Sequence, residues 1–129
     1  YDFSDPSQAF DAIYIVNLER QRERLESVTK MLEGLGLTNH QRFEAFDASA
    51  PNANSQMTLK IGSVMTGTGS GWSIGAIGCA ESHRRLFDVI EEEGHGRALI
   101  LEDDIVLNPN TDVDVLLEVV RSIPDDAEM

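Results

Sequence analysis

One segment constrains this chain more than any other, because an apolar run ends there in three consecutive acidic residues. Residues 98–101 are apolar enough to form a buried strand, and Glu102, Asp103 and Asp104 follow directly. Adjacent carboxylates repel one another, and an ionised carboxylate is costly to remove from water unless a cation neutralises it. Mg²⁺ and Mn²⁺ prefer carboxylate oxygens and often bridge to substrate phosphates. The pattern therefore predicts a metal site at a strand end, with an acidic, solvated strand end as the alternative.

Composition narrows the class of protein. The 129 residues fit one domain with a modest core. The net charge of −13 disfavours nucleic acid and anionic membrane surfaces as partners. Cys79 is the only cysteine, so an internal disulfide is excluded and a reducing compartment is favoured. No apolar run approaches the roughly 20 residues of a membrane span. We expect a cytoplasmic protein, with a location peripheral to the inner membrane as the other option.

The order of predicted elements indicates an α/β fold. Apolar patterns predict strands at 12–16, 42–47 and 99–101, and helices at 19–34, at 75–93 and from about 113. A strand, a helix and a second strand in this order form a βαβ unit, and such units build parallel sheets. We assign 1–11 to an N-terminal arm, 12–123 to the domain and 124–129 to an acidic tail. Residues 48–73 lack periodicity and are rich in glycine and turn residues, so we expect a mobile loop.

Polar side chains follow each predicted strand. Asn17 ends the first strand, Asp47 ends the second, and the acidic triplet follows the third. Ligands of parallel α/β sheets bind at the carboxyl ends of the strands, so these side chains are candidates for one site. Arg20 and Arg24 are four residues apart and would face the same way on a helix. A phosphate between them would relieve their repulsion. The alternative is an exposed, salt-bridged helix surface.

Two residues of the second long helix have ordinary structural interpretations. Cys79 lies between Gly78 and Ala80, which is typical of a small buried hydrophobic residue. His83 lies on the predicted apolar side of the helix, before Phe87. That position is more typical of a hydrogen-bonded core histidine than of a ligand or a base.

Four segments carry motifs that occur together in a known family. Residues 13–20, IYIVNLER, are followed by Arg24. Residues 44–47 read EAFD, 77–84 read IGCAESHR, and 94–104 read GHGRALILEDD. In this order they resemble the opening motif, the EAxD signature, the GCxxSH helix start and the acidic strand of the family 25 glycosyltransferases. That family includes lipopolysaccharide-type and collagen-galactosylating enzymes.

The resemblance implies a GT-A-like, Rossmann-like fold and an inverting glycosyltransferase. The reaction it implies moves galactose or glucose from a UDP-sugar to a glycan, lipopolysaccharide or protein-linked acceptor. It also implies Mn²⁺ or Mg²⁺ held by Glu102 and Asp104, the ends of a DxD-like motif with Asp103 in the middle. Finally, it assigns the donor nucleotide to six residues: Asn17, Arg20, Arg24, Asp47, Glu102 and Asp103.

The length of the chain adds a further expectation. Enzymes of that family are longer, so we expect a truncated, partial parallel sheet that carries mainly the donor site. The catalytic base would then lie outside this chain, and the chain alone would be inactive. An open sheet edge favours self-association. Two alternatives remain: a noncatalytic nucleotide-sugar-binding or scaffold domain, and a Mg²⁺-binding, receiver-like signalling module.

Overall fold

Three parallel strands form the centre of the computed structural model, which describes residues 5–57, 73–108 and 112–123. The strands are β1 (Ala12–Asn17), β2 (His40–Glu44) and β3 (Ala98–Glu102), and the sheet order is β2-β1-β3. Every residue of β1 is buried. A parallel strand covered on both faces reads as a continuous apolar run, which is why this segment was recognisable as a strand from its sequence.

Helices cover both faces of the sheet. They are α1 (Arg22–Gly34), α2 (Ala53–Gln56), α3 (Ile74–Glu93) and α4 (Val113–Arg121), and a 3-10 turn (Pro6–Gln8) precedes β1. Ile13 and Ile15 of β1 share one apolar cluster with residues of α1 and α4. Tyr14 and Val16 point to the other face and pack with Leu86 of α3. The result is an α/β fold in three layers, with β1 at its centre, as the order of predicted elements indicates.

Local signals set several helix ends. The Ser73 hydroxyl accepts from the backbone N–H of Ala76 at 3.0 Å and caps α3. Gly94 ends the same helix in the left-handed conformation, at φ 71°, which favours glycine. Asp112 caps α4 by accepting from the backbone N–H of Val115 at 3.0 Å. These caps fix where α3 and α4 meet the loops at the ends of the strands.

Two element boundaries differ from the sequence-based prediction by three residues, and the others differ by less. Helix α1 begins at Arg22 rather than at Glu19, because the backbone N–H of Gln21 donates to the carbonyl of Leu18 and closes a turn first. Strand β2 ends at Glu44 and does not extend to Asp47. The strand register explains this end: Glu44 pairs with Asn17, the last residue of β1, so no partner residue continues the ladder.

The predicted arm and loop are described only in part. Ala9 and Phe10, at the end of the expected arm, are buried in the core beside α1 and α4. Within the expected loop 48–73, the short helix α2 is formed, while residues 58–72, with the glycine-rich run and Trp72, lie outside the described residues. The acidic tail 124–129 also lies outside them. In the described parts of the chain, no helix is both long and apolar enough to cross a bilayer.

The strand order determines where a ligand can bind. From β1 the chain crosses to β2 on one side, and it returns to β3 on the other side of β1. The two connections therefore leave in opposite directions, and the switch point lies between β1 and β3. In open α/β sheets, ligands usually bind in the crevice beyond the carboxyl ends of the strands at such a point. The acidic triplet follows β3 and so lies at this crevice.

Candidate functional site

A cavity of about 300 Å³ opens at the carboxyl ends of the strands. It is lined by residues from the ends of β1 and β3, from the segment after β2, and from the first turns of α3. Six of the seven residues that the sequence analysis assigns to the donor and metal sites line it, namely Arg20, Arg24, Asp47, Glu102, Asp103 and Asp104. Residues far apart in the sequence thus share one cavity at the switch point of the sheet.

Asn17, the seventh residue, holds the site together from beneath. Its side chain is 2% exposed and is not among the residues that line the cavity. Its Nδ2 donates to the Gln21 carbonyl at 2.9 Å and to Oδ2 of Asp103 at 2.7 Å. Its Oδ1 accepts from Nε of Arg42 at 2.9 Å, and Arg42 Nη2 also donates to the Asn17 carbonyl at 3.0 Å. The structure therefore gives Asn17 a positioning role that connects the ends of all three strands.

The three carboxylates of the acidic triplet have different surroundings. Asp103 accepts from Asn17 and lies 3.7 Å from Nη1 of Arg24, so both of its oxygens face donors. Glu102 and Asp104 are exposed at the cavity. Asp104 makes no hydrogen bond or ion pair with the part of the chain that the structure describes, and Glu102 contacts the thiol of Cys79. Two exposed carboxylates beside a third that is already neutralised fit a hard divalent cation.

Asp47 forms the opposite rim of the cavity. Its carboxylate forms an ion pair with Arg20 and accepts from both the backbone N–H and the hydroxyl of Ser49. The Ser49 hydroxyl and, second, the Arg20 guanidinium hold the pKa of this carboxyl below its ordinary value. Arg20 lies before α1, so the expectation that it shares a helix face with Arg24 is wrong. Each arginine instead reaches the cavity from a different element and faces a different carboxylate.

The first turns of α3 hold the segment that carries Asp47. The buried Ser82 hydroxyl donates to the carbonyl of Gly78 at 2.6 Å and accepts from the backbone N–H of Phe46 at 2.8 Å. A Cβ at Gly78 would lie 2.9 Å from the carbonyl oxygen of Phe46, so only glycine allows this approach. The sequence analysis did not assign a role to Ser82. Two small residues one helical turn apart were the signal that could have revealed this close backbone contact.

The sequence also did not reveal an ion pair on α3 in which one partner, Glu81, is buried. The side chain of Glu81 is fully buried and accepts from Nε of Arg85 at 2.9 Å. Arg85 also donates to the Gln56 carbonyl at 2.6 Å, and its guanidinium lies 4.6 Å from the centre of the Phe46 ring. The pair therefore attaches α2 and the Asp47 segment to α3. Its i, i+4 spacing in a predicted helix was visible, but the burial of Glu81 was not.

Cys79 differs from its sequence-based interpretation, whereas His83 is hydrogen-bonded as expected but only half-buried. Cys79 is exposed at the cavity, although its small neighbours indicated burial. Its Sγ lies 3.4 Å from Oε1 of Glu102 and 3.6 Å from Nδ1 of His83. Partial burial and the Glu102 carboxylate raise the pKa of the thiol. His83 is half-buried, its Nδ1 lies 2.9 Å from the Cys79 carbonyl, and its ring contacts Phe87 edge-on.

Comparison with known proteins identifies relatives of this chain. Residues 10–123 match the family model described as "Glycosyltransferase family 25 (LPS biosynthesis protein)". A protein of Acanthamoeba polyphaga mimivirus that is named as a glycosyltransferase is 31% identical over 99 residues, which is 76% of this chain. A "Glycosyltransferase 25 family member" of Drosophila pseudoobscura pseudoobscura is 32% identical over 104 residues, or 77% of this chain.

The relatives are longer than the matched region. The match covers 30% of the mimivirus protein and 16% of the Drosophila protein. No solved structure gives a significant match to this chain. The family match spans β1, β2, β3 and all the residues that line the cavity.

Proposed function

The chain belongs to glycosyltransferase family 25, and from this premise we propose that its cavity binds the nucleoside diphosphate of a sugar donor. The donor we propose is UDP-galactose or UDP-glucose. The hexose would be transferred, with inversion, to a glycan, lipopolysaccharide or protein-linked acceptor. Because the match covers 30% and 16% of the two relatives, the assignment concerns the donor half of the reaction first.

One observation carries this proposal. Six residues that were assigned from motifs to the donor and its metal ion line a single cavity at the β1/β3 switch point. They come from the turn before α1, from α1 itself, from the segment after β2 and from the end of β3. The spacing of these residues along the chain does not by itself bring them together. A nucleotide site in an open α/β sheet, by contrast, needs its ligands to converge at such a switch point.

Glu102 and Asp104 are the residues we assign to Mn²⁺ or Mg²⁺. When bound, the cation would neutralise the negative charge that develops on the departing diphosphate. Asp103 has a different part in this proposal. Its hydrogen bond from the buried Asn17 keeps the turn after β3 in place, so the two carboxylates on either side of it stay directed at the cavity.

Arg20 and Arg24 are the residues we assign to the diphosphate. In the structure each guanidinium faces a carboxylate of the cavity, and each side chain is more than half exposed. Exposed ion pairs are weak, so a phosphate can replace the carboxylate partner at little cost. The arginine guanidinium also donates two parallel hydrogen bonds to phosphate oxygens, and its positive charge strengthens both bonds. The two ion pairs thus keep the arginines near the cavity until a donor binds.

The first experiment tests the metal-dependent donor site. Calorimetric titration of the chain with UDP should show binding in Mn²⁺ that EDTA abolishes. Glu102→Gln and Asp104→Asn should each remove most of the gain due to Mn²⁺, by about tenfold or more, since each deletes a charged ligand. Asp88→Asn is the matched control, because Asp88 lies on α3, pairs with Arg84 and does not line the cavity. Equal UDP affinity with and without the metal would contradict the proposal.

A second experiment separates the phosphates from the base. Arg24→Ala should weaken UDP by about 1.5–3 kcal/mol, roughly 10–100-fold, and leave uridine nearly unchanged. Arg22→Ala on the same helix is the control, since Arg22 does not line this cavity. An equal loss for UDP and uridine would assign Arg24 to the helix surface instead.

Product analysis distinguishes the enzyme from its alternatives. Incubation of the chain with UDP-sugars and candidate acceptors tests for turnover: a glycosylated product would show a transferase, whereas a noncatalytic donor-binding or scaffold domain would bind UDP without turnover. The receiver-like alternative places its acidic pair after the first strand of the domain. In this chain Asn17 occupies that position and the acidic residues follow β3.

A further inference from the structure

We propose that Cys79, His83 and Glu102 form a binding site for a thiophilic divalent cation, Zn²⁺, at the α3 side of the cavity. The proposal does not depend on the donor site. Among the residues that the structure describes, these three are the one group of potential ligands whose atoms all lie within 4.8 Å of one another. The acidic triplet, which provides the hard-cation site proposed above, does not converge in this way.

Two of the three separations between ligand atoms fit a tetrahedral ion, and the third is within 4.8 Å. Sγ of Cys79 lies 3.4 Å from Oε1 of Glu102 and 3.6 Å from Nδ1 of His83. A tetrahedral Zn²⁺ with ligand distances of about 2.0–2.3 Å holds any two of its ligand atoms about 3.3–3.8 Å apart. Both measured separations lie in that range. An ion could therefore enter with small changes of side-chain torsion, and the backbone would stay in place.

The secondary structure makes this arrangement rigid. Cys79 and His83 are one turn apart on α3, so their side chains leave the same face of the helix. Glu102 is the last residue of β3 and comes from the other side of the cavity. Cys79 and Glu102 are exposed and His83 is half-buried, so an ion can reach all three from solvent. Three protein ligands leave a fourth position for water, as in open zinc sites.

The contacts without an ion show what metal binding must replace. The Cys79 thiol donates a hydrogen bond to Glu102, and the His83 ring contacts the Cys79 carbonyl through Nδ1. On binding, the thiol proton goes to solvent, and the thiolate and the Glu102 carboxylate become ligands. His83 changes to the tautomer that is protonated at Nε2, so that Nδ1 gives up its hydrogen bond to the Cys79 carbonyl and binds the ion without a net change in the ring's protons. About one proton is released per ion bound, because cysteine coordinates as the thiolate and not as the thiol.

The chemistry of the ligands selects the ion. Thiolate and imidazole favour Zn²⁺ and related soft cations, whereas carboxylate and water suit Mg²⁺ and Mn²⁺. Glu102 is the one residue common to this site and to the proposed donor-metal site. If both sites exist, Zn²⁺ and Mn²⁺ therefore compete, and this consequence alone rests on the proposed function.

The experiment uses Co²⁺ as a spectroscopic probe and Zn²⁺ for affinity. The full chain with one equivalent of Co²⁺ should show near-ultraviolet thiolate-to-cobalt absorption and the visible bands of a tetrahedral site. Zn²⁺ should displace Co²⁺ and abolish both. In calorimetry, Cys79→Ser and His83→Gln should each lower the affinity for Zn²⁺. The loss should exceed the roughly 10–100-fold that results when an outer-shell partner of a metal ligand is removed. Asp88→Asn is the control, because it removes a carboxylate of the same helix that does not line the cavity and should leave Zn²⁺ binding unchanged.

The outcomes separate this proposal from the donor site. A Co²⁺ complex without thiolate absorption, or wild-type Zn²⁺ affinity in Cys79→Ser, would overturn it. Should Cys79→Ser fail to fold, the Co²⁺ spectrum of the unaltered chain decides. Failure of UDP to bind with Mn²⁺ has no bearing on these readouts, and a donor site that binds UDP normally does not rescue a chain that lacks the cobalt–thiolate signal.

Discussion

The two walls of the cavity are built in opposite ways. The first, here called the strand-end wall, consists of Asp103, which lines the cavity, and of Asn17 and Arg42, which lie behind it where the strands end. Its centre, Asn17, is almost completely buried and has all its polar groups paired. The second, the rim, consists of Arg20, Asp47 and Ser49. There the arginine side chain is 58% exposed and the carboxylate is 29% exposed.

This difference separates a fixed part of the site from an adaptable part. A buried polar network is costly to break, since any group left unpaired has lost water without gaining a partner. An exposed ion pair contributes little and exchanges partners readily. The strand-end wall therefore sets where the acidic triplet points, while the rim can open its ion pair for a ligand. The predictions below test whether the two walls really differ in this respect.

The largest effect is expected at the strand-end wall. Asn17→Ala removes three side-chain hydrogen bonds and leaves Asp103 and Arg42 each without a buried partner. Each lost hydrogen bond costs about 0.5–1.5 kcal/mol, and the partly buried Asp103 carboxylate adds to this cost, so the free energy of unfolding should fall by about 2–4 kcal/mol in urea denaturation. Arg20→Ala at the rim is the comparison and should leave stability near that of the unaltered chain. Similar losses for both variants would remove the distinction between the walls.

A smaller effect is expected where α3 supports the rim. Gly78→Ala places a Cβ 2.9 Å from the Phe46 carbonyl, so the backbone must shift. Overpacking typically costs about 1–3 kcal/mol and alanine returns part of this through helix propensity, which leaves a net loss of about 1–2 kcal/mol. Gly75→Ala on the same helix is the control, because its nearest neighbour would be the Ser73 hydroxyl at 3.9 Å. Gly78→Ala as stable as Gly75→Ala would show that the close approach is not required.

The smallest effect is expected from charge at the rim itself. Ser49→Ala should raise the pKa of the Asp47 carboxyl toward its ordinary value by more than Arg20→Ala does, since the serine is the larger cause of the depression. Because the folded-state pKa is lowered, the resulting stability is present above the ordinary aspartate value of about 4 and is lost as the pH falls through the lowered one. Carboxyl titration by NMR measures both variants, with Ser55→Ala, whose hydroxyl donates to Asn52, as the control. An unchanged titration in Ser49→Ala would sink this explanation.

The features that follow from local patterns were predictable. The apolar run of β1 and the strand-end position of the acidic triplet each depend on residues close together in the sequence. The start of α1 could not be predicted to the residue, because the side chain of its N-cap residue, Gln21, makes no capping hydrogen bond. The error of three residues placed Arg20 on the helix and made its pairing with Arg24 look closer than it is.

Features that depend on the strand order were not predictable. Asn17 and Asp103 are 86 residues apart, and their hydrogen bond exists only because β3 pairs with β1. The exposure of Cys79 has the same origin: small neighbours indicated burial, but the sheet order puts this turn of α3 at the open end of the cavity. No pattern in the sequence states on which side of β1 the third strand will lie.

The position of the cavity-lining residues in the sequence has one more consequence, which concerns how this segment occurs among related proteins. Among the described residues, those that line it all lie between Val16 and Asp104 in the sequence. A stretch that contains its whole pocket can be copied into proteins of different size without dividing the pocket between distant parts of the chain. The two relatives differ in this respect, since the matched segment makes up 30% of one and 16% of the other. A matched segment of 99 or 104 residues, which in this chain holds the cavity, therefore occurs in proteins of very different length.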